Sequence, residues 1–248
     1  MIETAIDKSS KNYAGLPKCD KERSEVLISL TRIQKLIGQR MLISKQNKPC
    51  FYIESKADVT ELMGLRHRLK ISLGVKITTN AFYIRALALA VKRYPVMTGR
   101  LVGDNIRIAD SINVGFAVNA PQGLVVPVIK NADNKTLVEI AHLEKLLTEK
   151  ANSNKLTLED IENETVALSN LGAYGIDSFV GIVPPPSSTI LAVGNVIKTV
   201  CSEDGKAVTR KMASLSLAVD HRIINGTYAA QFLGLIKEQL QNPQQLAL

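Results

Sequence analysis

Two polar segments, each at the end of a strand-like run, contain the residues best suited to chemistry. The first, DHRIING, follows the alternating run KMASLSLAV, so His221 would lie where a core strand reaches the surface. Asn225 and Gly226 offer a turn and a helix cap before TYAAQFLGLIKEQL begins a helix. Imidazole titrates near neutral pH, so His221 could act as a general base, although a structural histidine explains this segment equally well.

The second segment, TVALSNLGAYGIDSF, is a strand-like run that breaks into SNLG. Gly172 and Gly175 free the backbone there, and Ser169 and Asn170 place polar groups at the strand's end. An ordinary polar turn would have the same composition. Together with His221, the two segments offer one base and one hydroxyl donor, without the acidic member of a catalytic triad.

Other motifs and residues are weaker candidates for a site. His67 and His142 lie within helical patterns, where isolated histidines are usually structural. The sequence contains no P-loop, no GxGxxG after a strand and no GxSxG elbow. Cys19, Cys50 and Cys201 form no CxxC and no Cys/His cluster, so we expect no metal site and a reducing compartment.

Hydrophobic periodicity predicts the elements that would position these side chains. Helices are predicted in LTRIQKLIGQRML, DVTELMGLRHRL, NAFYIRALALAVKRY and TLVEIAHLEKLLTEKA, with Pro95 ending the third. Capping boxes are predicted at Asp58/Glu61 and Thr136/Glu139. Strand-like runs are INVGFAV, GLVVPVI, TVALSN, TILAVGNVI and KMASLSLAV. Their alternation with helices predicts α/β layers.

Composition sets the class of protein and its domain organisation. With 46% hydrophobic and 22% charged residues, the chain has enough apolar material for a sizeable core. Residues 1–24 are polar and predicted to form an arm, whereas residues 25–248 read as one continuous domain. No apolar stretch is long enough for a membrane span or a signal peptide, so we expect a soluble compartment such as the cytoplasm or the mitochondrial matrix.

The net charge of +8 would suit an anionic partner. The charges are scattered, however, and aromatic residues make up only 4% of the chain, so no basic stripe with stacking platforms is visible. This pattern argues against nucleic acid and leaves a small phosphorylated ligand as the better match.

Taken in order, these segments resemble the catalytic domain of the dihydrolipoyl acyltransferases, the core component of 2-oxoacid dehydrogenase complexes. SNLGAYGIDSF and DHRIING, with Ser169 and His221 fifty-two positions apart, resemble its two site segments, the second of which has the family signature HxxxDG. RIQKLIGQRMLISKQNKPCFY, NVGFAVNAPQGLVVPVIKNADNKTL and IVPPPSSTILAVGNV resemble its first helix and strand, its middle hairpin and its proline-rich turn. The resemblance covers residues 25–248.

The resemblance implies an α/β, chloramphenicol acetyltransferase-like layered fold, in which a mixed β-sheet packs with helices and the subunits form a homotrimer. It implies acyl transfer between coenzyme A and a lipoyl group that another protein supplies. His221 would be the base and Ser169 the oxyanion donor, from neighbouring subunits, with Asn225 as a third site residue. Supporting residues would be Arg222, Gly226, Asn170 and Gly172. Relatives assemble such trimers into cubic or dodecahedral shells.

The sequence departs from this family pattern at three positions. Asn225 replaces the aspartate of the signature, Val183 replaces a common asparagine, and Cys50 replaces a histidine. No segment resembles a lipoyl or subunit-binding domain. We therefore keep two alternatives beside an active acetyl-transferring enzyme: a shell-forming relative whose catalysis has decayed, and a coenzyme A-dependent acetyltransferase acting on a small acceptor. Acetyl is the expected acyl group because SNLGAYGIDSF resembles the acetyl-transferring members more than the succinyl-transferring ones.

Overall fold

The computed structural model describes residues 27, 29–30 and 32–247. The predicted polar arm, residues 1–24, lies outside the described residues. Within the described part of the chain, the helices are α1 Arg32–Asn47, α2 Thr60–Leu73, α3 Thr79–Arg93, α4 Leu137–Asn152 and α5 Gly226–Gln241. The strands are β1 Cys50–Asp58, β2 Arg100–Val102, β3 Asn105–Arg107, β4 Val114–Phe116, β5 Val118–Ala120, β6 Gly123–Val125, β7 Val128–Ile129, β8 Val166–Asn170, β9 Thr189–Glu203 and β10 Lys206–Asp220.

Six of the strands form one mixed sheet in the order β1-β10-β9-β8-β4-β7. Strand β8 runs parallel to both β4 and β9, and the other neighbouring pairs are antiparallel. β2 pairs with β3, and β5 with β6, in separate two-stranded ribbons. The predicted mixed sheet packed with helices is confirmed.

Helix α3 forms the centre of the core, as its almost uniformly apolar sequence predicts. Phe82, Tyr83, Ile84 and Leu87 are all essentially inaccessible to solvent. The helix packs against α4 and α5 and against strands β4 and β8. It ends at Arg93, before a proline that cannot continue it.

The two predicted capping boxes have different outcomes. In α4, the Thr136 hydroxyl accepts from the Glu139 N–H, and the Glu139 carboxylate accepts from the Thr136 N–H at 2.7 Å, as predicted. In α2 the prediction is wrong, because Asp58 is the last residue of β1 and Val59 is the N-cap. The Asp58 carboxylate accepts from the Thr60 N–H at 2.9 Å instead.

Strands β9 and β10 form a hairpin that is longer than the predicted runs. Asp204 and Gly205 at its tip have φ values of 49° and 76°, as a tight hairpin turn requires. The half near the tip is largely exposed, whereas residues 189–194 and 215–220 are buried. The buried half carries β10 across the core and ends it at Asp220, directly before His221.

Helix α1 forms where its spacing predicts, but much of its apolar surface is exposed. Leu36 and Leu42 are 59% and 56% exposed, and Ile37 and Met41 are half-buried. An isolated chain would therefore leave this helix with an uncovered apolar side.

Candidate active site

His221 lies on a turn whose backbone is held on both sides of the strand end. Its N–H donates to the Pro49 carbonyl at 3.0 Å, and the N–H of Asp220 donates to the Ser188 carbonyl at 2.9 Å. The exposed imidazole packs edge-on against the Phe51 ring, with 5.1 Å between ring centroids. The fold therefore places His221 at the surface, on a backbone that two hydrogen bonds hold in place.

Arg222 pairs with Asp220, two residues before it. The guanidinium Nε and Nη2 donate to the two carboxylate oxygens at 3.0 and 2.7 Å. Asp220 is only 1% exposed, and its hydrogen bond raises the pKa of the Arg222 guanidinium. Asp220 is a residue that sequence reasoning missed, although the Asp-x-Arg spacing could have indicated the pair.

Asn225 is the N-cap of α5. Its side-chain Oδ1 accepts from the Tyr228 N–H at 2.9 Å, which satisfies one of the free donors of the first turn. Gly226, the first residue of the helix, lies beside the Phe51 ring. Asparagine and aspartate cap helices about equally well, so the change from the aspartate of the signature preserves this structural role.

Ser169 is the second-to-last residue of β8 and is half-buried. Asn170 Oδ1 accepts from the Gly172 N–H at 2.9 Å and closes a turn immediately after the strand. A Cβ at Gly172 would lie only 2.7 Å from the Gly194 carbonyl oxygen, so this turn requires glycine. The predicted residues Ser169, Asn170 and Gly172 thus form one group, as His221, Arg222, Asn225 and Gly226 form another.

Strand register separates these two groups within one chain. Ser169 pairs with Ala192, and Ala192 pairs with Ser216, so Ser169 and Ser216 share a row two strands apart. His221 lies five residues beyond Ser216. With a rise of about 3.3 Å per residue and about 4.8 Å between strands, the Cα atoms of Ser169 and His221 are about 19 Å apart. Their side chains cannot contact one reacting atom in a single chain.

No metal centre or membrane-spanning helix is found in the described residues. Over these residues, no group of three or more His, Cys, Asp and Glu side chains could hold a metal ion. No helix among them is both long and apolar enough to cross a membrane. A cleft of about 600 Å³ contains Arg100, Arg107 and Lys130 and none of the predicted site residues.

The geometry is consistent with the family that residues 22–248 match. Residues 22–248 match the family of 2-oxoacid dehydrogenases acyltransferase (catalytic domain). A dihydrolipoyllysine-residue acetyltransferase component of the pyruvate dehydrogenase complex from Rickettsia bellii is 34% identical and covers 87% of the chain. A Bacillus subtilis lipoamide acyltransferase of the branched-chain alpha-keto acid dehydrogenase complex is also 34% identical, over 95% of the chain. A Haemophilus influenzae succinyltransferase of the 2-oxoglutarate dehydrogenase complex is 33% identical, over 91%.

The matches cover 53%, 55% and 56% of these three relatives, so the chain spans about half the length of the curated relatives that it matches.

Solved structures carry the same fold. A structure of Azotobacter vinelandii dihydrolipoamide acetyltransferase has a TM-score of 0.86 and 32% identity, covering 94% of this chain and 99% of that one. It addresses the role of a serine, a histidine and an asparagine in the catalytic mechanism; the histidine follows the serine by fifty-two positions and the asparagine follows the histidine by four. The cubic core of a pyruvate dehydrogenase complex matches with the same coverage, identity and TM-score.

A chloramphenicol acetyltransferase, at 15% identity and a TM-score of 0.53 over 82% of this chain and 92% of that one, shares the fold. This likeness confirms the predicted fold class. With the family match over nearly the whole length and relatives above 30% identity, the chain belongs to the 2-oxoacid dehydrogenase acyltransferase family and matches its catalytic domain.

Proposed function

We propose that residues 25–248 form the catalytic domain of a dihydrolipoamide acyltransferase, preceded by a polar arm at residues 1–24. The domain would move an acetyl group between a coenzyme A thiol and a dihydrolipoyl thiol, the latter supplied by another protein. The observation that carries the proposal is the site itself. Ser169, His221 and Asn225 have the spacing of the serine, histidine and asparagine studied in the Azotobacter vinelandii acetyltransferase.

His221 is proposed as the general base. It would take the proton of the attacking thiol, because sulfur attacks as the thiolate. The thiolate sulfur then bonds to the thioester carbonyl carbon, and the carbonyl electrons move onto oxygen. When the tetrahedral intermediate collapses, the original carbon–sulfur bond breaks, and His221 returns its proton to the departing sulfur. The hydrogen bond from the backbone N–H of His221 to the Pro49 carbonyl supports this role, because it fixes the backbone that carries the ring.

Ser169 is proposed as the hydroxyl donor to the oxyanion of that intermediate. A donor that binds the transition state more strongly than the ground state lowers the barrier, and losing one such donor typically costs about 2.7–4 kcal/mol. Asn225 does not need to carry a proton in this scheme. As the N-cap of α5, it holds the helix start that follows the histidine turn.

The separation of about 19 Å estimated from strand register favours a site that two subunits share. We infer a homotrimer in which His221 of one subunit meets Ser169 of its neighbour. The exposed apolar side of α1 is consistent with such packing, since an assembly would cover it. The similar solved structure of a cubic core supports a further step, the assembly of trimers into a larger shell of a pyruvate dehydrogenase complex.

The net charge of +8 suits the phosphates of coenzyme A and supports it as the second substrate. We also propose a cytoplasmic or mitochondrial-matrix location, since one similar acetyltransferase, from Dictyostelium discoideum, is a mitochondrial protein. Acetyl remains the proposed acyl group. The relatives named above include an acetyltransferase, a branched-chain lipoamide acyltransferase and a succinyltransferase, at 34%, 34% and 33% identity. A direct comparison of acyl donors therefore decides this point.

The test is acyl transfer from acetyl-, isobutyryl- and succinyl-coenzyme A to free dihydrolipoamide. We expect acetyl transfer by the wild type to exceed transfer of the other two groups, and His221→Ala to abolish it. Circular dichroism of both proteins establishes that the variant is folded. A folded wild type that transfers no acyl group to dihydrolipoamide would refute the proposal.

A further inference from the structure

The proline-rich segment 183–188 connects α1 to the strand end that carries His221. Three donors at four-residue spacing, on or just beyond one face of α1, bind its carbonyl oxygens: Arg40 to Pro185, Ser44 to Val183 and Lys48 to Ser187. The far end of the segment continues directly into β9. This segment is therefore fixed to α1 by several side chains rather than lying loosely on the surface.

The bond from Lys48 to Ser187 links the two backbone segments that support the histidine turn. Pro49, which follows Lys48, accepts the N–H of His221. Ser188, which follows Ser187, accepts the N–H of Asp220. The ammonium group of Lys48 thus joins the residues immediately before both carbonyl acceptors.

Ser187 is in turn bound to a buried carboxyl group. The Ser187 hydroxyl donates to Glu164 Oε1 at 2.9 Å, and Glu164 is 9% exposed. Gly115 leaves room for it, since a Cβ there would lie 2.7 Å from Glu164 Cγ. Burial raises the pKa of the Glu164 carboxyl to about 7, although the Ser187 hydroxyl and the cations Arg40, Lys48 and Arg100 act in the opposite direction.

Lys48 is itself desolvated at this position. Burial lowers the pKa of its ammonium group, while the carboxylates of Asp220 and Glu164 and the Cys50 thiol act to raise it. The charge of Arg222 acts in the same direction as burial and lowers the pKa of Lys48. Partial burial of an ammonium group costs free energy. We therefore expect its bond to the Ser187 carbonyl, next to the Ser188 carbonyl that accepts from Asp220, to have a specific role.

We propose that Lys48 and Ser187, backed by Glu164, form a clamp that positions His221 for proton transfer. Lys48 is a positioning residue in this scheme, because it acts through the carbonyls of Pro49 and Ser188. This inference rests on the acyltransferase function proposed above. It adds to that function a set of contacts outside the two predicted site segments.

The first test is kinetic and uses Lys48→Met, which keeps an unbranched side chain one atom shorter and removes the donor. Because the clamp acts on catalytic geometry, we expect kcat to fall about tenfold or more, since small misplacements of a reacting group cost up to about 100-fold. KM for acetyl-coenzyme A and dihydrolipoamide should stay within about twofold. Lys48→Arg keeps a donor and should recover most of kcat.

The second test measures the backbone directly and does not need activity. Amide hydrogen exchange of Asp220 and His221, followed by NMR, should become about tenfold faster in Lys48→Met, because the two acceptor carbonyls are no longer held together. Faster exchange is expected even if the wild type proves inactive, so failure of the clamp and failure of the proposed function give different results.

Lys45→Met is the matched control. Lys45 is exposed, lies on the same helix and donates to the Tyr52 hydroxyl, with no bond to segment 183–188. It should leave both kcat and exchange at His221 unchanged. The clamp is refuted if folded Lys48→Met retains wild-type kcat and exchange, or if Lys45→Met has the same effect. If Lys48→Met does not fold, Ser187→Ala replaces it, because this variant removes the bond to Glu164. Ser187→Ala should accelerate amide exchange at Asp220 and His221. Unchanged exchange in Ser187→Ala would also refute the clamp.

Discussion

The buried carboxyl of Glu164 should make the stability of the protein fall as pH rises. Burial raises its pKa from 4.5 to about 7. A carboxyl whose pKa is raised by folding contributes stability that is fully present below its unfolded pKa and is lost as pH rises through its folded pKa. The loss therefore falls between about pH 4.5 and pH 7. A difference of about 2.5 in pKa corresponds to about 3 kcal/mol of unfolding free energy.

Glu164→Gln isolates this contribution, because the amide oxygen still accepts from the Ser187 hydroxyl but the side chain cannot ionise. We expect the unfolding free energy of the wild type to fall, relative to that of the variant, by about 2–3 kcal/mol between pH 5 and pH 8.5. Urea denaturation measures this difference, with all samples at one protein concentration, because the proposed assembly would make stability depend on concentration.

Exposed Glu162, two residues earlier, provides the control. Glu162→Gln should leave the pH dependence of the wild type unchanged. The reasoning is refuted if wild type and Glu164→Gln lose stability in parallel, or if the wild type gains stability relative to the variant as pH rises.

Two further predictions concern the turn that carries His221. Asn225→Ala should lower the unfolding free energy by about 1 kcal/mol through loss of the N-cap of α5, whereas Asn225→Asp should change it by less than about 0.5 kcal/mol; equal losses in urea denaturation would contradict the capping role. Arg222→Met should cost about 2–3 kcal/mol because it leaves the Asp220 carboxylate, 1% exposed, without its bidentate partner. Thermal unfolding beside Arg222→Lys checks this, and a variant as stable as wild type would rule it out.

Signals confined to a few neighbouring residues predicted structure well. The Thr136/Glu139 capping box forms because both members lie within one helical turn. The continuous apolar run of α3 predicts burial on nearly all sides, and Pro95 predicts its end. The Asn225 cap follows from the same kind of local chemistry, since the donor it binds is three residues away. The two site segments, in their order and together with three further segments that resemble the acyltransferases, predicted the family.

Features that depend on tertiary contacts could not be predicted. Asp58 resembles a helix cap in the sequence, but pairing of β1 with β10 keeps it in a strand. The exposed half of the β9–β10 hairpin has no apolar alternation to indicate it, and Asp204-Gly205 was its only local signal. The contact of Glu164 with Ser187 joins positions twenty-three residues apart, and that of Lys48 with Ser187 joins positions 139 apart. No sequence pattern marks such pairs.

The distance between Ser169 and His221 within one chain makes the shared site the central claim, and mixing two defective proteins tests it. His221→Ala and Ser169→Ala are unfolded together, refolded in equal amounts and assayed for acetyl transfer to dihydrolipoamide, with each variant refolded alone as the control. If neighbouring subunits supply the two residues, about one site in four combines an intact histidine with an intact serine, so the mixture should recover about a quarter of wild-type activity. Recovery no greater than the average of the two controls would contradict the account.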